Sequence, residues 1–392
     1  MQTRKKFDAA SAITSAHSDR DVIAHVPWKN LLALFFASRV FIWLVGILSL
    51  RWVPKGSAFT PLSSSWDLFT RWDSAWYLDL ARDGYSFVRA GESTNVVFFP
   101  LYPWLVRTVS FSGWLNSKIV AYVISFACLW CACVWLWQAV AREWNDSRLA
   151  ILAVAFLLFG PVSFFFTCIY SEALFLPLAI LCIDSARRDR WWLAGALGAL
   201  AALTRFIGVA LVVPLVWQYV ASQYRVERGH RAWRVRPILA CLLPLAGLTA
   251  YCIFMWVRFD DPLVYFHGQQ FWGRRFSFFW QLLARPSFSG QPLFYQIWFS
   301  STVVVAFGLL AVGVCLKVPN VYSVYGIAFG FIYVSARFVE GLPRYFSVIF
   351  PLYVVLALIA VRWPKLEKPL LIISASLLAL SVILFVNGYW FT

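Results

Sequence analysis

The apolar run WWLAGALGALAALTRFIGVALVVPLVWQYV (191–220) decides the topology of the chain. It is compatible with one tilted helix or with two short helices that turn at Thr204-Arg205. One long helix would bury Arg205 in mid-span, which costs about 2.5–3.5 kcal/mol on insertion scales. It would also export the five arginines of residues 225–236, against the positive-inside rule. We therefore predict two short helices.

The composition on either side of this run is that of a membrane protein. Hydrophobic residues make up 61% and charged residues 13% of the 392 residues, whereas soluble proteins carry roughly 25% charged residues. The sequence predicts an all-α polytopic membrane protein with about 11 transmembrane helices, at about 20 apolar residues each. The predicted spans are 30–50, 118–140, 148–168, 172–186, 191–204, 206–221, 237–257, 297–316, 320–336, 344–362 and 369–388.

Basic residues in the short loops predict the orientation of these spans. Residues 1–28 form a cytoplasmic tail, the first span is a retained signal anchor, and residues 29–392 form one transmembrane domain. The long loops 51–117 and 258–296, together with the turns 170–172 and 337–343, then lie outside the cytoplasm. The net charge of +16 does not indicate nucleic acid, because the basic residues sit between spans, where they set topology and contact lipid headgroups.

The first long loop contains WDLFTRWDSAWYLDLARDGY (66–85). A helix here places Asp73, Trp76 and Tyr77 on one face, an aromatic surface with one acid at a membrane–water boundary. Asp73 is the candidate base, and a helix-capping role is the alternative. Trp72, Trp76 and Tyr77 are candidate substrate contacts. Asp67 is another, although Arg71 at i+4 offers it an ordinary ion pair. The segment 96–111 is predicted to lie at the interface.

A second set of candidates lies at the ends of other predicted spans. Arginines that converge there suit a phosphate, and snorkelling to headgroups is the alternative for each one. A first-turn acid is equally a simple helix-dipole partner. The candidate substrate-binding residues of this set are Ser171, Glu172, Thr204, Arg205, His267, Arg337 and Arg344. The four scattered histidines predict no metal site, and the eight cysteines lie in apolar stretches, as small buried hydrophobes do.

Five stretches resemble the PIG-V-like mannosyltransferases, integral-membrane glycosyltransferases of the GT-C type. They are RWDSAWYLDLARDGY (71–85), VVFFPLYPWLVR (96–107), FTCIYSEALFLPLAIL (166–181), LAGALGALAALTRFIGVALVVPLVW (193–217) and PRYFSVIFPLYVVLA (343–357). The resemblance implies a GT-C-like bundle with interfacial helices in the first outer loop. It also assigns the base to Asp73 and equivalent motif positions to Ser171-Glu172 and Thr204-Arg205. Eukaryotic members typically have His at the position of Trp76.

The resemblance implies an inverting transferase that takes a sugar, mannose in this family, from a polyprenyl or dolichyl phosphate donor. The acceptor is a lipid-linked or glycolipid molecule on the extracytoplasmic face of a bacterial plasma membrane, or of the endoplasmic reticulum in a eukaryote. No cofactor is predicted, and the metal requirement stays open. A secondary transporter or a lipid-linked sugar flippase is the alternative. The charged candidates cluster on one side of the membrane, and this one-sidedness favours an interfacial enzyme.

Overall fold

The computed structural model describes residues 26–86, 94–225, 235–272, 293–335 and 341–389. Within these ranges the regular structure is entirely helical. The α-helices are α1 (Trp28–Trp52), α2 (Asp73–Asp83), α3 (Leu101–Val109), α4 (Ser117–Trp144), α5 (Ser147–Phe159), α6 (Glu172–Arg187), α7 (Trp191–Thr204), α8 (Val212–Arg225), α9 (Val235–Phe259), α10 (Val264–Phe271), α11 (Leu293–Cys315), α12 (Asn320–Ser335), α13 (Leu342–Phe346), α14 (Pro351–Arg362) and α15 (Pro364–Val386).

Among the described residues, six helical segments are long and apolar enough to cross a membrane: α1, α4, residues 206–224, α9, α11 and α15. Four further apolar helices, α5, α7, α12 and α14, have 10–17 residues. Many of their large hydrophobic side chains are exposed, as the lipid-facing side of a bundle requires. The prediction of an all-α polytopic membrane protein is confirmed.

The chain breaks at Arg205, as predicted. Helix α7 ends at Thr204, and Arg205 is extended (φ −155°, ψ 143°). A short 3-10 segment (Phe206–Leu211) then leads into α8. Gly208 makes this turn possible, because a Cβ there would lie 2.4 Å from the backbone of Ala201. The run 191–220 therefore forms two short helices. Residues 226–234, whose location motivated that choice, lie outside the described residues.

Two predicted spans are interrupted. In place of the span 148–168, helix α5 ends at Phe159, and a 3-10 turn (Ser163–Phe166) follows Gly160 and Pro161. In place of the span 344–362, the short α13 is separated from α14, which begins at Pro351. Apolar composition is continuous through both breaks, but proline lacks the amide donor that a helix interior needs.

A buried arginine of the first span stabilises the first of these breaks. Arg39 of α1 is 3% exposed. Its guanidinium donates to Leu158 O at 3.1 Å, Ser163 Oγ at 3.0 Å and Thr167 Oγ1 at 2.6 Å. The bond to Leu158 O satisfies a carbonyl that the interrupted helix leaves without an amide partner, and the bonds to the two hydroxyls hold the turn against α1. The break brings residues 170–172 to the end of the bundle where α2 lies.

Helices α2 and α3 pack over this end of the bundle. The predicted interfacial element 96–111 corresponds to a 3-10 turn (Asn95–Val97) and to α3, which begins after Pro100. Tyr102 of α3 is fully buried and bonds Ser125 of α4 at 2.9 Å. The segment around α3 in the first long loop thus packs into the core.

Candidate active site

Asp73 is the first residue of α2, and the backbone turns sharply just before it. Trp72 has φ 54° and ψ −118°, a left-handed conformation that is strained for a residue with a side chain. The Asp73 carboxylate accepts a hydrogen bond from Arg344 Nη1 at 2.5 Å. The two residues are 271 positions apart in the chain, so only the folded bundle brings them together.

Four alternating charges form a row that continues from this pair. The Arg344 Nε group donates to Glu172 Oε1, and Arg205 Nη1 contacts the same oxygen. The row therefore runs Asp73–Arg344–Glu172–Arg205, with two acids and two guanidinium groups. Glu172 is fully buried, and its second oxygen, Oε2, has no hydrogen-bond partner among the described residues. Because the charges cancel, the row as a whole carries no net charge.

Tyrosine rings enclose the two guanidinium groups. The Arg344 guanidinium carbon lies 4.1 Å from the centre of the Tyr170 ring, and that of Arg205 lies 5.4 Å from Tyr345. Both geometries are those of cation–π contacts. The Tyr77 hydroxyl bonds Ser171 Oγ at 2.7 Å. Burial, and next the charge of Glu172, raise the pKa of Tyr77 to about 12, so its hydroxyl is protonated at neutral pH.

The row borders a cavity of about 860 Å³ with one polar and one apolar part. Asp73, Ser171, Thr204, Arg205 and Arg344 line the polar part. Aromatic and aliphatic side chains line the rest, among them Phe99, Phe206, Tyr265, Phe266, Phe331 and Ile332. A site of this size, mostly apolar with a few convergent polar groups, suits an amphipathic substrate.

Of the remaining predicted site residues, Trp72, Trp76 and His267 do not line this cavity. Trp76 stacks on Phe98 with ring centres 6.0 Å apart, and Trp72 packs in the core under the first loop. The His267 Nδ1 atom pairs with Asp261 at 2.7 Å on the surface. Arg337 lies outside the described residues. The Thr204 hydroxyl, although at the cavity, donates back to Leu200 O at 2.8 Å.

Asp67 has a different partner from the one its spacing suggested. The expected i+4 pair with Arg71 is wrong, because Asp67 lies in a 3-10 turn (Ser65–Phe69) and Arg71 lies beyond it. The carboxylate of Asp67 pairs with Lys118 and accepts from Ser63. Burial opposes ionisation, yet the hydrogen bonds from Lys118 and Ser63 lower the pKa of Asp67 to about 2. Asp67 therefore holds the N-terminal end of α4 against the first loop.

Sequence reasoning missed several residues at the site. Tyr170, Tyr333 and Tyr345 surround the arginines, but aromatic residues are frequent in this chain and carry no distinguishing signal. Gln269 and Gln270 of α10 also line the cavity. Arg39, which supports the break after Phe159 and does not line the cavity, did have a signal, since an arginine in mid-span is costly unless protein groups surround it. In the described ranges, no three His, Cys, Asp or Glu side chains are grouped so as to hold a metal ion.

Comparison with known proteins identifies the family. The family described as "Mannosyltransferase (PIG-V)" matches residues 61–258, half of the chain. The chain belongs to the PIG-V mannosyltransferase family. The resemblance found in the sequence motifs is thereby confirmed, and the matched residues include Asp73, Glu172 and Arg205.

Two curated relatives agree with this PIG-V assignment. GPI mannosyltransferase pigv-1 of Caenorhabditis elegans is 25% identical over 124 residues, which are 28% of this chain and 18% of the relative. GPI alpha-1,6-mannosyltransferase 2 of Mus musculus is 29% identical over 172 residues, 41% of this chain and 33% of the relative. The matches span a third or less of the length of either relative.

Solved structures with the same fold include ArnT from Cupriavidus metallidurans. Its apo form has a TM-score of 0.54 at 14% identity, over 93% of this chain and 77% of ArnT. The form bound to undecaprenyl phosphate has a TM-score of 0.54 at 13% identity, over 92% and 76% of the two chains. The PIG-V family member described here therefore has the GT-C fold that ArnT represents.

Proposed function

We propose that this chain is an inverting mannosyltransferase that transfers a sugar from a polyprenyl phosphate donor to a hydroxyl of a lipid-linked or glycolipid acceptor. The observation that carries this proposal is one cavity bordered by a carboxylate, two guanidinium groups and a long apolar wall. Membership of the PIG-V family supports the sugar and the glycolipid acceptor. The undecaprenyl phosphate bound to ArnT supports a donor of that class.

Asp73 acts as the base. Its carboxylate accepts the proton of the acceptor hydroxyl while the hydroxyl oxygen attacks C1 of the sugar. The bond between C1 and the phosphate oxygen breaks, and the lipid phosphate leaves with the bonding electrons. Among the described residues, Asp73 is the single carboxylate that lines the cavity. A single displacement by the acceptor needs one base, whereas a retaining double displacement needs a second carboxylate as nucleophile.

Arg344 and Arg205 stabilise the negative charge that grows on the departing phosphate. Guanidinium groups held in place before the reaction do this without reorganising, and a water-poor site makes the interaction stronger. Glu172 holds the two groups side by side through one oxygen. Its role is positional, because both arginines would otherwise repel each other in a buried setting.

The apolar wall accommodates the lipid chain of the donor. Phe206 stacks on Tyr265 with ring centres 5.2 Å apart, and Phe99 meets the edge of the same ring at 5.2 Å. Such a wall next to the charged row lets the isoprenoid chain stay in an apolar environment while its phosphate reaches the arginines. A free nucleotide sugar has no lipid chain that could bind to this apolar surface.

The active site faces the extracytoplasmic side in this proposal. Glu172 and Arg187 are the two ends of α6. The positive-inside rule assigns the arginine-rich end, which continues into residues 188–190, to the cytoplasm. The end with Glu172 then lies on the opposite side. Family membership and the GT-C fold favour a transferase over a transporter or a flippase.

The experiment is a transfer assay with the purified chain in nanodiscs. Labelled mannose and glucose are supplied on polyprenyl phosphate, and membrane lipid extracts serve as acceptors. The expected product is a mannosylated lipid whose anomeric configuration is opposite to that of the donor. GDP-mannose without polyprenyl phosphate is the donor control and should give no product. Retention of configuration, or transfer from the nucleotide sugar alone, would contradict the proposal.

A further inference from the structure

A third arginine, Arg71, is buried two residues before Asp73, and no acid of the described residues forms an ion pair with it. Its residue is 6% exposed. The Nη1 group donates to Thr60 Oγ1 at 3.0 Å, whereas Nε and Nη2 have no hydrogen-bond partner among the described residues. Asp67 attracts Arg71 electrostatically, but it forms its ion pair with Lys118 instead. A buried cation with unsatisfied donors is costly unless a ligand or water completes it.

The two unused donors form a fork. In a guanidinium group the Nε–H bond and one Nη2–H bond lie on the same edge and point the same way. That edge fits two oxygens of a phosphate in bidentate fashion. Nη1, which belongs to the other edge, is the group already used by Thr60. The free edge of Arg71 is therefore the one with the geometry for an oxyanion.

A second cation lies next to this fork. The Lys55 ammonium and the Arg71 guanidinium carbon lie 5.2 and 5.1 Å from the centre of the same ring, that of Phe59. Lys55 donates to Leu50 O at 2.6 Å, Val53 O at 3.3 Å and Asn387 Oδ1 at 2.7 Å. All three of its protons are thus used, so it adds positive charge and Arg71 supplies the free donors. Burial, and next the charge of Arg71, lower the pKa of Lys55.

The charge balance separates this place from the row. Asp73 and Glu172 neutralise Arg344 and Arg205, whereas no carboxylate of the described residues pairs with Arg71 or Lys55. A phosphate in the ground state is therefore attracted more strongly to the fork than to the row.

We infer that Arg71 and Lys55 form a phosphate-binding subsite for a lipid substrate, next to the charged row and distinct from it. The subsite rests on the proposed function in that its ligand is a phosphate carried by a lipid. The Tyr170 hydroxyl donates to the Arg71 carbonyl oxygen at 3.1 Å, and the Tyr170 ring covers Arg344. One tyrosine therefore connects the backbone of Arg71 to the row.

The test measures binding to the purified full chain in detergent. The probes are farnesyl phosphate and dihexanoyl phosphatidic acid, with inorganic phosphate alone as a third. Farnesol and dihexanoyl glycerol, which lack the phosphate, are the ligand controls. Binding of farnesyl phosphate alone identifies a polyprenyl phosphate site, and binding of both lipid phosphates identifies a general headgroup site. Both outcomes require that the phosphate-free controls bind weakly.

The variants separate the fork from its charge. Arg71→Gln should weaken the phosphate probes at least about tenfold, because hydrogen bonds to charged groups are among the strong ones. Arg71→Lys keeps the charge but loses the fork. Its affinity for the phosphate probes should lie between those of the unaltered protein and Arg71→Gln. Arg82→Gln is the matched control, since Arg82 is exposed and pairs with Asp83 at 2.8 Å. It should bind like the unaltered protein.

Wild-type affinity for every phosphate probe in Arg71→Gln would overturn the subsite. Arg71 would then have a structural role only, with water satisfying its free donors. If that variant does not fold, Lys55→Gln decides. Lys55→Gln changes an exposed residue and should weaken binding of the phosphate probes without changing binding of farnesol. If this variant binds the phosphate probes as tightly as the unaltered protein, the subsite is overturned as well. The binding assay needs no turnover. Arg71-dependent binding in a protein that transfers no sugar would therefore refute the proposed function alone.

Discussion

Helix α6 has a charge cluster at each end, and the two clusters differ in what they border. Glu172 begins the helix and Arg187 ends it, about 22 Å apart at 1.5 Å per residue. At the first end, one buried acid oxygen holds Arg205 and Arg344. At the other end, Asp184 accepts from Arg142 at 2.8 Å and pairs with Arg188 at 3.3 Å.

The cluster around Asp184 connects helices, whereas the one around Glu172 lines a cavity. Arg142 belongs to α4, so its bond to Asp184 holds α4 against α6. Arg187 of α6 forms a second pair, with Glu143 of α4. None of these residues lines the cavity that Asp73, Arg205 and Arg344 share. Similar ion pairs thus serve packing at one end of the helix and chemistry at the other, and adjoining space for a substrate makes the difference.

The largest expected effect comes from Glu172→Gln. Removing this charge leaves Arg205 and Arg344 buried without their shared counter-charge, so their mutual repulsion shifts both from their positions. We expect kcat/KM for sugar transfer to fall about 100-fold or more, measured on protein that still elutes as a folded species. Transfer at the wild-type rate would show that the row does not position the arginines for the reaction.

Arg205→Ala is expected to act on the donor. The variant removes one of the two cations near the departing phosphate and should lower kcat/KM for the polyprenyl phosphate donor about tenfold, the equivalent of one hydrogen bond to a charged group. Arg187→Ala, at the other end of α6, is the matched control and should leave the donor kinetics of the folded protein unchanged. Equal effects of both variants would erase the distinction between the two ends.

Asp184→Asn should affect stability and spare the chemistry. Its side chain is 9% exposed and has two arginine partners, so we expect a loss of about 2 kcal/mol in the free energy of unfolding. The transfer rate per folded molecule should remain that of the unaltered protein. A thermal unfolding curve and an assay on the same sample provide both numbers, and a lost rate with intact stability would contradict this assignment.

The smallest effect is a pH dependence that comes from Asp67. Its pKa in the folded protein is about 2, below the ordinary value of 3.8, so folding favours the ionised carboxylate. The stabilisation is present in full above about pH 4 and is lost as the pH falls from there through 2. Lys118→Met removes the principal partner and should flatten the dependence of the melting temperature on pH in this window. An unchanged slope would contradict the pair.

Features that depend on neighbouring residues could be predicted from the sequence. The break at Arg205 follows from one charge within one apolar run, and the helical face of 73–83 follows from periodicity. The interruptions at Gly160-Pro161 and before Pro351 were not predicted, because hydropathy is averaged over a window and the residues around each break are mostly apolar. The Asp67–Arg71 pair failed because the i+4 rule holds only inside a continuous α-helix.

Contacts across the bundle could not be predicted. Glu172 and Arg344 lie 172 positions apart. No local pattern shows that Glu172 pairs with Arg344 and not with another arginine at a helix end. The unpartnered fork of Arg71 also requires knowledge of every neighbouring acceptor. Sequence reasoning identified Asp73, Glu172, Arg205 and Arg344 as candidates, and the order in which they meet is a property of the fold.

The most direct test of the account is the initial rate of sugar transfer by Asp73→Asn, with Asp79→Asn measured beside it. Both substitutions remove one charge from α2, but Asp79 has a half-exposed side chain and pairs with Arg82 at 3.1 Å. The account predicts a fall of about 100-fold or more for Asp73→Asn, in the range expected for loss of a general base, and no change for Asp79→Asn. Transfer by Asp73→Asn at the wild-type rate would contradict the assignment of Asp73 as the base.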